Sequence, residues 1–229
     1  MIKNMANKYT HVIWDWNGTL LDDVEWCLCV VNALLKNRNL RPVKDIGAYR
    51  DIFGFPVIDY YRRAGFDLDS EPFEIPAKEF IELYHSDNSR FRLFDGAADA
   101  LAAVKEMGMR QIILSASEVN NLRLQTRLFD IERHFDDILG ISDIYAESKL
   151  HIGQSYIAGN DICPGKTVLI GDTVHDYEVA AALGADCILI ANGHQHKHTL
   201  FECKMPVLDA ITEVAGALAY ANSALIGVT

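Results

Sequence analysis

Five short runs along the chain are apolar, rich in β-branched residues and free of polar–apolar alternation: His11–Trp14, Gln111–Leu114, Ile138–Ile141, Thr167–Ile170 and Cys187–Ile190. Strands covered by helices on both faces read this way, because neither face meets water. A weaker sixth run is Pro206–Leu208. Between the runs the apolar spacing turns helical. Ala97–Glu106 stops at Gly108 and Glu178–Leu183 at Gly184, and a glycine just past the last periodic residue is a helix-stop signal. Alternating strands and helices predict an α/β fold with a doubly wound parallel sheet.

The gaps between runs are unequal. Leu114 to Ile138, Ile138 to Thr167 and Ile170 to Cys187 each suit one crossover, since a βαβ unit takes about 30 residues or more. The stretch from Trp14 to Gln111 is too long for one helix and leaves about 70 residues over by the same measure. Its segments Val24–Lys36, Pro56–Ala64 and Pro76–His85 have helical spacing and little strand signal. The predicted organisation is a core of residues 1–20 and 95–229 with a helical cap subdomain, 21–94, inserted after the first strand.

In open α/β sheets ligands sit beyond the carboxyl ends of the strands, so the residues that follow each run matter most. The first run is followed by Asp15-Trp16-Asn17-Gly18-Thr19-Leu20, the second by Ser115 and the fourth by Gly171-Asp172-Thr173-Val174-His175-Asp176. Lys149 lies between the third and fourth. Singly each has an ordinary explanation: an aspartate after a strand caps a helix, a serine makes a turn, a lysine is a solvated charge. Jointly, three carboxylates, a hydroxyl and a lysine meet on one sheet edge. Clustered carboxylates repel unless a cation sits among them, and an all-oxygen ligand set suits Mg2+.

Composition narrows the picture. Half of the 229 residues are hydrophobic and 23% are charged, an ordinary globular balance. The net charge of −11 disfavours nucleic acid as a partner, and an anionic substrate would need a locally positive site. The five scattered cysteines (27, 29, 163, 187, 203) form no C-x-x-C, so neither a disulfide framework nor a zinc site is expected. A reducing, cytoplasmic setting follows from that. No apolar run approaches the length of a membrane span, and no signal segment opens the chain. Gly165-Lys166-Thr167 echoes a P-loop but precedes a strand and lacks the first glycine. His194, His196 and His198 are expected as surface or substrate-rim histidines in a loop after the fifth strand. The pair Asp22–Asp23 is open between helix capping and a role in gating or substrate contact.

The ordered motifs Asp15-Trp16-Asn17-Gly18-Thr19-Leu20, Ser115, Lys149 and Gly171-Asp172-x-x-x-Asp176 resemble those of the haloacid dehalogenase superfamily, from about residue 10 to 215. The insert matches that family's helical cap of the first type. Phe94-Asp95-Gly96 and Ala191-Asn192-Gly193 resemble its phosphoglycolate-phosphatase-like branch. The resemblance implies a Mg2+-dependent hydrolase, a phosphatase of small phosphorylated metabolites. Asp15 would be the nucleophile that takes the phosphoryl group. Mg2+ would be held by Asp15, Asp172 and the Asn17 backbone carbonyl, with Asp176 supporting directly or through water. Ser115 and the amides of the Asn17–Gly18 turn would hold phosphate oxygens, with Thr19 and Ala116 also at the substrate, and Lys149 would balance the charge.

One position departs from the pattern. The family's phosphatases usually carry a second aspartate two residues after the nucleophile as general acid and base, and here that residue is Asn17. An amide cannot move the proton, and such catalysis is commonly worth about 10²–10⁴-fold. Asn17→Asp is therefore expected to speed alkyl-phosphate hydrolysis. The competing reading, a catalytically impaired relative that binds phosphate or Mg2+, rests on Asn17 alone. Lys149-Leu150, where many relatives have Lys-Pro, is a minor departure.

Overall fold

The structure is a computed structural model that describes residues 8–142 and 148–224. Residues 1–7, 143–147 and 225–229 of the expected core lie outside the described residues. Six strands, β1 His11–Trp14, β2 Arg110–Glu118, β3 Asp137–Ile141, β4 Thr167–Gly171, β5 Asp186–Ile190 and β6 Val207–Leu208, form one parallel sheet in the order β3-β2-β1-β4-β5-β6. The fold is the expected doubly wound α/β fold. Trp14 pairs with Ile113 of β2 on one side and Ile170 of β4 on the other. The chain thus winds outward in both directions from β1, and the crevice beyond the carboxyl ends of β1, β2 and β4 is the topological switch point where α/β proteins bind ligands.

The strands alternate their side chains between two hydrophobic clusters, one on each face. Val12, Trp14, Ile113 and Ile170 join the first; Ile13, Leu114 and Leu169 join the second. Helices α5 (Ala97–Glu106), α6 (Val119–Leu128) and α10 (Val214–Ala224) cover the first face through Leu101, Val104, Leu122, Val214 and Leu218. Helices α7 (Lys149–Gly159), α8 (Val174–Leu183) and α9 (Lys197–Phe201) cover the second through Ile157, Val179, Leu183 and Leu200.

Between β1 and β2 the chain forms α1 (Val24–Asn37), α2 (Ile46–Ile52), α3 (Val57–Ala64) and α4 (Glu74–Tyr84). The first cluster continues from the sheet into these helices through Val30, Val31, Leu34, Tyr60 and Tyr61. Entry and exit segments are tied together: Leu21 bridges Leu93, the Asp22 amide donates to the Arg92 carbonyl (2.8 Å), and Arg92 donates to the Asp22 carboxylate (2.7 Å).

Three elements depart from the sequence reading. Helix α2 carries no periodic signal because it has seven residues and buries only Tyr49; its start is set by Asp45, whose side chain accepts from the Ala48 amide. Helix α8 starts a turn before Glu178, because Thr173 and Asp176 form a reciprocal capping box. Strand β2 runs past Leu114 to Glu118, but its register with β3 shifts between those residues. The irregularity releases Ser115–Ser117 from regular pairing and turns them toward the switch point, a common use of a bulge.

Candidate active site

Asp15 leaves β1 in register, its amide still donating to Ile170 (2.8 Å). The chain then curls so that the Trp16 carbonyl accepts from the amides of Leu20 and Leu21 (3.0 and 2.9 Å). Gly18 makes this turn with φ +72°, and a Cβ there would lie 2.5 Å from an Asp172 carboxylate oxygen. A Cβ on Gly193 would collide with the same carboxylate. Only glycine allows both the positive φ and this close approach.

The structure brings the predicted charged residues together. Lys149, the first residue of α7, buries its ammonium between Asp15 and Asp176 (2.6 Å to the latter). Thr19 donates to Asp172 (2.8 Å) and lies 3.3 Å from Asp15, so it links the two acids. Asp176 is fully engaged: one oxygen faces Lys149, and the other accepts from the Thr173 hydroxyl and amide (2.6 and 3.0 Å). Burial pushes Asp15 up to about 7, with Lys149 opposing and the neighbouring acids adding. Burial likewise lifts Asp172 to about 6, against His194. For Asp176 burial acts upward, but Lys149 and Thr173 outweigh it and the carboxyl is held low.

A cavity of about 380 Å³ opens between this edge and helices α1–α4. Asp15, Asn17, Ser115, Ala116, Lys149 and Asp176 line it; Gly18, Thr19 and Asp172 sit behind its wall. Two expectations change accordingly. The Gly18 amide, expected to hold phosphate, donates to the Leu21 carbonyl (2.9 Å) and an Asp23 oxygen (3.0 Å). The Thr19 hydroxyl is occupied by the acids rather than turned to substrate.

The largest difference concerns Asn17. Its amide nitrogen donates to Asp23 and lies 2.8 Å from the Tyr84 hydroxyl, while its carbonyl oxygen accepts from Ser117 (2.7 Å). Tyr84 also donates to Asp23 (2.6 Å). Asp23 occupies the N-cap position of α1, yet accepts no capping bond there. It is a buried carboxylate that joins the Asn17–Gly18 turn, α4 and His194, whose Nε2 lies 3.3 Å away. His194 is therefore not a surface histidine: it is 4% exposed, its amide donates to Asp172 (2.6 Å), and Tyr49 of α2 meets its other ring nitrogen (2.9 Å). Phe53 stacks on its ring at 4.7 Å. His196 sits at the N-cap position of α9 without a capping bond and approaches Asp51 (3.0 Å), and His198 lies within α9 rather than in a loop. Arg50 of α2 donates to the carbonyls of Asn192 and Gly193 (both 2.8 Å). Helix α2 thus closes on the loop after β5. Asp23 was flagged by its neighbour Asp22 and its place in the exit from β1; Tyr84, Ser117, Tyr49 and Arg50 carried no signal, because their partners lie far away in the chain.

Burial disfavours charging His194, but Asp23, followed by Asp172 and Asp15, outweighs it and lifts the ring to about 9 from an ordinary 6.5. A raised folded value stabilises the protein fully below pH 6.5, and the contribution is lost as pH rises through 9. In protein freed of divalent ions, wild type is expected to exceed His194→Gln by an amount on the order of 3 kcal/mol near pH 6 and to lose that advantage by about pH 10. Urea denaturation at both pH values measures this; an advantage independent of pH would refute the ion pair.

Three buried acids and a lysine at the switch point cost stability, and such arrangements collect where chemistry is done; the fold and site are those of an α/β enzyme. More narrowly, the chain belongs to the haloacid dehalogenase-like hydrolase family, which it matches over residues 12–190. It is 30% identical over 189 residues to the tyrosine-protein kinase PtkA of Mycobacterium tuberculosis, covering 80% of this chain and 62% of that protein. This chain thus spans less than two thirds of that relative's length. It is 25% identical over 220 residues to a phosphoglycolate phosphatase of Nitrosococcus oceani, covering 92% and 96% of the two chains. A haloacid dehalogenase-like hydrolase from Streptococcus pneumoniae has the same fold, with a TM-score of 0.79 at 18% identity over 93% of this chain and 98% of that one. The resemblance to the haloacid dehalogenase superfamily read from the motifs is borne out. Among the described residues no helix is long and apolar enough to cross a membrane.

Proposed function

We propose that this chain is a Mg2+-dependent phosphatase of small phosphorylated molecules, acting through an aspartyl-phosphate on Asp15, beneath a cap formed by residues 21–94. The observation that carries the reading is the placement of Asp15 on the cavity floor with the Lys149 ammonium against it.

The donor set suits the metal. Asp15, Asp172 and Asp176 each offer a carboxylate oxygen within 4.8 Å of the others, an all-oxygen cluster in which burial, with the neighbouring acids adding, holds Asp15 and Asp172 above the usual carboxylate range. The Asn17 backbone carbonyl accepts no hydrogen bond from the described residues. Asp15, Asp172 and that backbone carbonyl would hold Mg2+, with Asp176, which also holds Lys149 and the loop, supporting it directly or through water. When bound, Mg2+ neutralises the phosphate against the attacking carboxylate.

The remaining steps belong to the chain. Asp15 is positioned by β1 and held by Lys149, so its oxygen faces the cavity. Ser115, from the irregular part of β2, offers its hydroxyl to a phosphate oxygen. Lys149 opposes the burial that raises Asp15 to about 7, and balances charge as the phosphoryl group transfers. The closed helices exclude bulk water from the phosphoenzyme. Free thiols at all five cysteines suit the reducing cytoplasm. The impaired-relative reading loses force, because the charged constellation is intact and Asn17 has a structural occupation of its own.

The direct test is Mg2+-dependent release of phosphate from p-nitrophenyl phosphate; no release at any Mg2+ concentration would sink the reading. Mg2+ is also expected to raise the melting temperature, by a stabilisation of about 2.7 kcal/mol at roughly 100-fold excess over Kd. Asp172→Ala is expected to abolish that shift. A melting temperature indifferent to millimolar Mg2+ would count against the site.

A further inference from the structure

We infer that the substrate of this site is an aryl phosphomonoester, its uncharged ring held in the aromatic part of the cavity. The inference rests on the phosphatase reading of Asp15 and goes beyond it in naming the leaving group.

The first observation is the cavity's chemistry. Above Asp15 the walls are Phe55, Tyr60, Tyr61, Phe73, Phe80 and Ile81. Tyr60 and Tyr61 meet edge to face, as do Tyr61 and Phe73, so the rings form a continuous apolar surface. Phe55 and Ile81 are each 38% exposed at the mouth, so the apolar character reaches the opening. A cavity of about 380 Å³ lies near the small end of the range of roughly 300–1,000 Å³ for ligand sites, which suits one or two fused rings.

The second observation is charge. A second anionic group on the substrate, such as the carboxylate of phosphoglycolate, needs a cation. Among the described lining residues Lys149 is held by Asp15 and Asp176, His194 by Asp23, and His175 lies under Phe55 beside Glu178. His85 is kept below its ordinary value by burial. No arginine is among the described residues that line the cavity, whereas Glu118 is. A carboxylate placed among these rings would lose its hydration and find no free cation among the described lining residues, and a neutral hydroxyl such as that of Tyr60, which is unpartnered among the described residues, does not balance its charge.

The third observation is independent of the pocket. Asn17 is fixed by Asp23, Tyr84 and Ser117 and cannot protonate a leaving group. An aryl ester does not need that proton. The Asp15 oxygen forms a bond to phosphorus as the phosphorus–aryl oxygen bond breaks, and the electron pair departs on the aryl oxygen as aryloxide. Water then hydrolyses the aspartyl-phosphate, releasing phosphate and restoring Asp15. Pocket and missing acid therefore select the same chemistry, available as a free small aryl phosphate or as a phosphotyrosyl side chain.

The test is calorimetric titration of the Mg2+-loaded protein with phosphonates that cannot be hydrolysed. 1-Naphthylmethylphosphonate is expected to bind at least roughly tenfold tighter than 3-phosphonopropionate, from burial of the ring. Ile81→Lys, at the exposed mouth, is expected to shift that ratio at least roughly tenfold toward the carboxylated ligand. A peptide carrying phosphonomethylphenylalanine, the non-hydrolysable analogue of phosphotyrosine, titrated alongside separates the two sources: binding as tight as the naphthyl compound assigns the ring to a protein side chain, and weaker binding assigns it to a small molecule. Equal or tighter binding of 3-phosphonopropionate by wild type overturns the inference, even if phosphate esters are turned over. If instead the naphthyl preference holds and no ester is hydrolysed, the phosphatase reading fails and the assignment of the pocket to aryl ligands stands.

Discussion

Asp15→Asn is expected to lower turnover of p-nitrophenyl phosphate at least ~10³-fold while leaving the protein folded. An amide cannot form the acyl phosphate, and p-nitrophenolate leaves without an acid, so the assay isolates the nucleophile from the proton question. The amide fits the site. Its oxygen accepts from Lys149 as Asp15 does, and its nitrogen faces the Thr19 hydroxyl, which donates onward to Asp172. Stability supplies a second readout. Burial raises Asp15 to about 7, so ionising it in the metal-free fold costs stability, increasingly as pH climbs from the usual carboxylate range to 7. The variant is therefore expected to melt higher than wild type above pH 7 without divalent ions, and to lose that advantage when Mg2+ is added. Residual turnover above a few per cent would mean that another residue attacks phosphorus. An unfolded variant would mean that Asp15 is chiefly a structural partner of Lys149.

Asn17→Asp is expected to weaken the enzyme, the reverse of what the family pattern suggests. The Asn17 amide group lies 2.8 Å from an Asp23 oxygen in a buried setting, and a carboxylate in its place would bring two negative oxygens together. At an effective dielectric constant of 20, two like charges about 3 Å apart repel by roughly 5 kcal/mol. The pair must separate, loosening α4 and the turn that carries Gly18, or one member must take up a proton. The variant is expected to lose on the order of 2–5 kcal/mol at pH 8 and clearly less at pH 5, where a shared proton relieves the repulsion. The double variant Asn17→Asp with Asp23→Asn keeps the charge count and reverses the hydrogen bond. In that background the acid–base gain on alkyl phosphates, at most about 10²–10⁴-fold, is expected to emerge. Chemical denaturation at the two pH values, with kcat/KM across a phosphate-ester series, decides it. If the single variant is as stable as wild type at pH 8, Asn17 is not fixed by Asp23 as described.

These two expectations differ in origin. The place of Asp15 at the ligand edge could be read from the chain alone, and its proposed role as nucleophile is what the family resemblance implies. Asp15 follows a run without polar–apolar alternation, strands of that kind are buried in a parallel sheet, and ligands gather at their carboxyl ends. Asp172 and Ser115 follow by the same logic, and the unequal gaps point to helices between β1 and β2. The reversal at Asn17 could not be read in this way. It depends on a carboxylate six residues on, a tyrosine 67 residues away and a serine 100 residues away, brought to one point where Tyr84 at the end of α4 and Ser117 of β2 meet the Asn17 side chain.

What the sequence determined by itself is therefore local or periodic: the strands from their unbroken apolar runs, the helix stops from their glycines, and the reactive edge from the residue types just past each strand. Tertiary structure decided what depends on pairing between distant segments. It buried His194 against Asp23, placed the seven-residue helix α2 over the loop after β5, and lined the space above Asp15 with aromatic rings. The physical reason is that a side chain's charge state and donor capacity are set by whatever packs within a few ångströms of it. Along this chain those neighbours lie tens to more than a hundred residues apart, where spacing carries no record of contact.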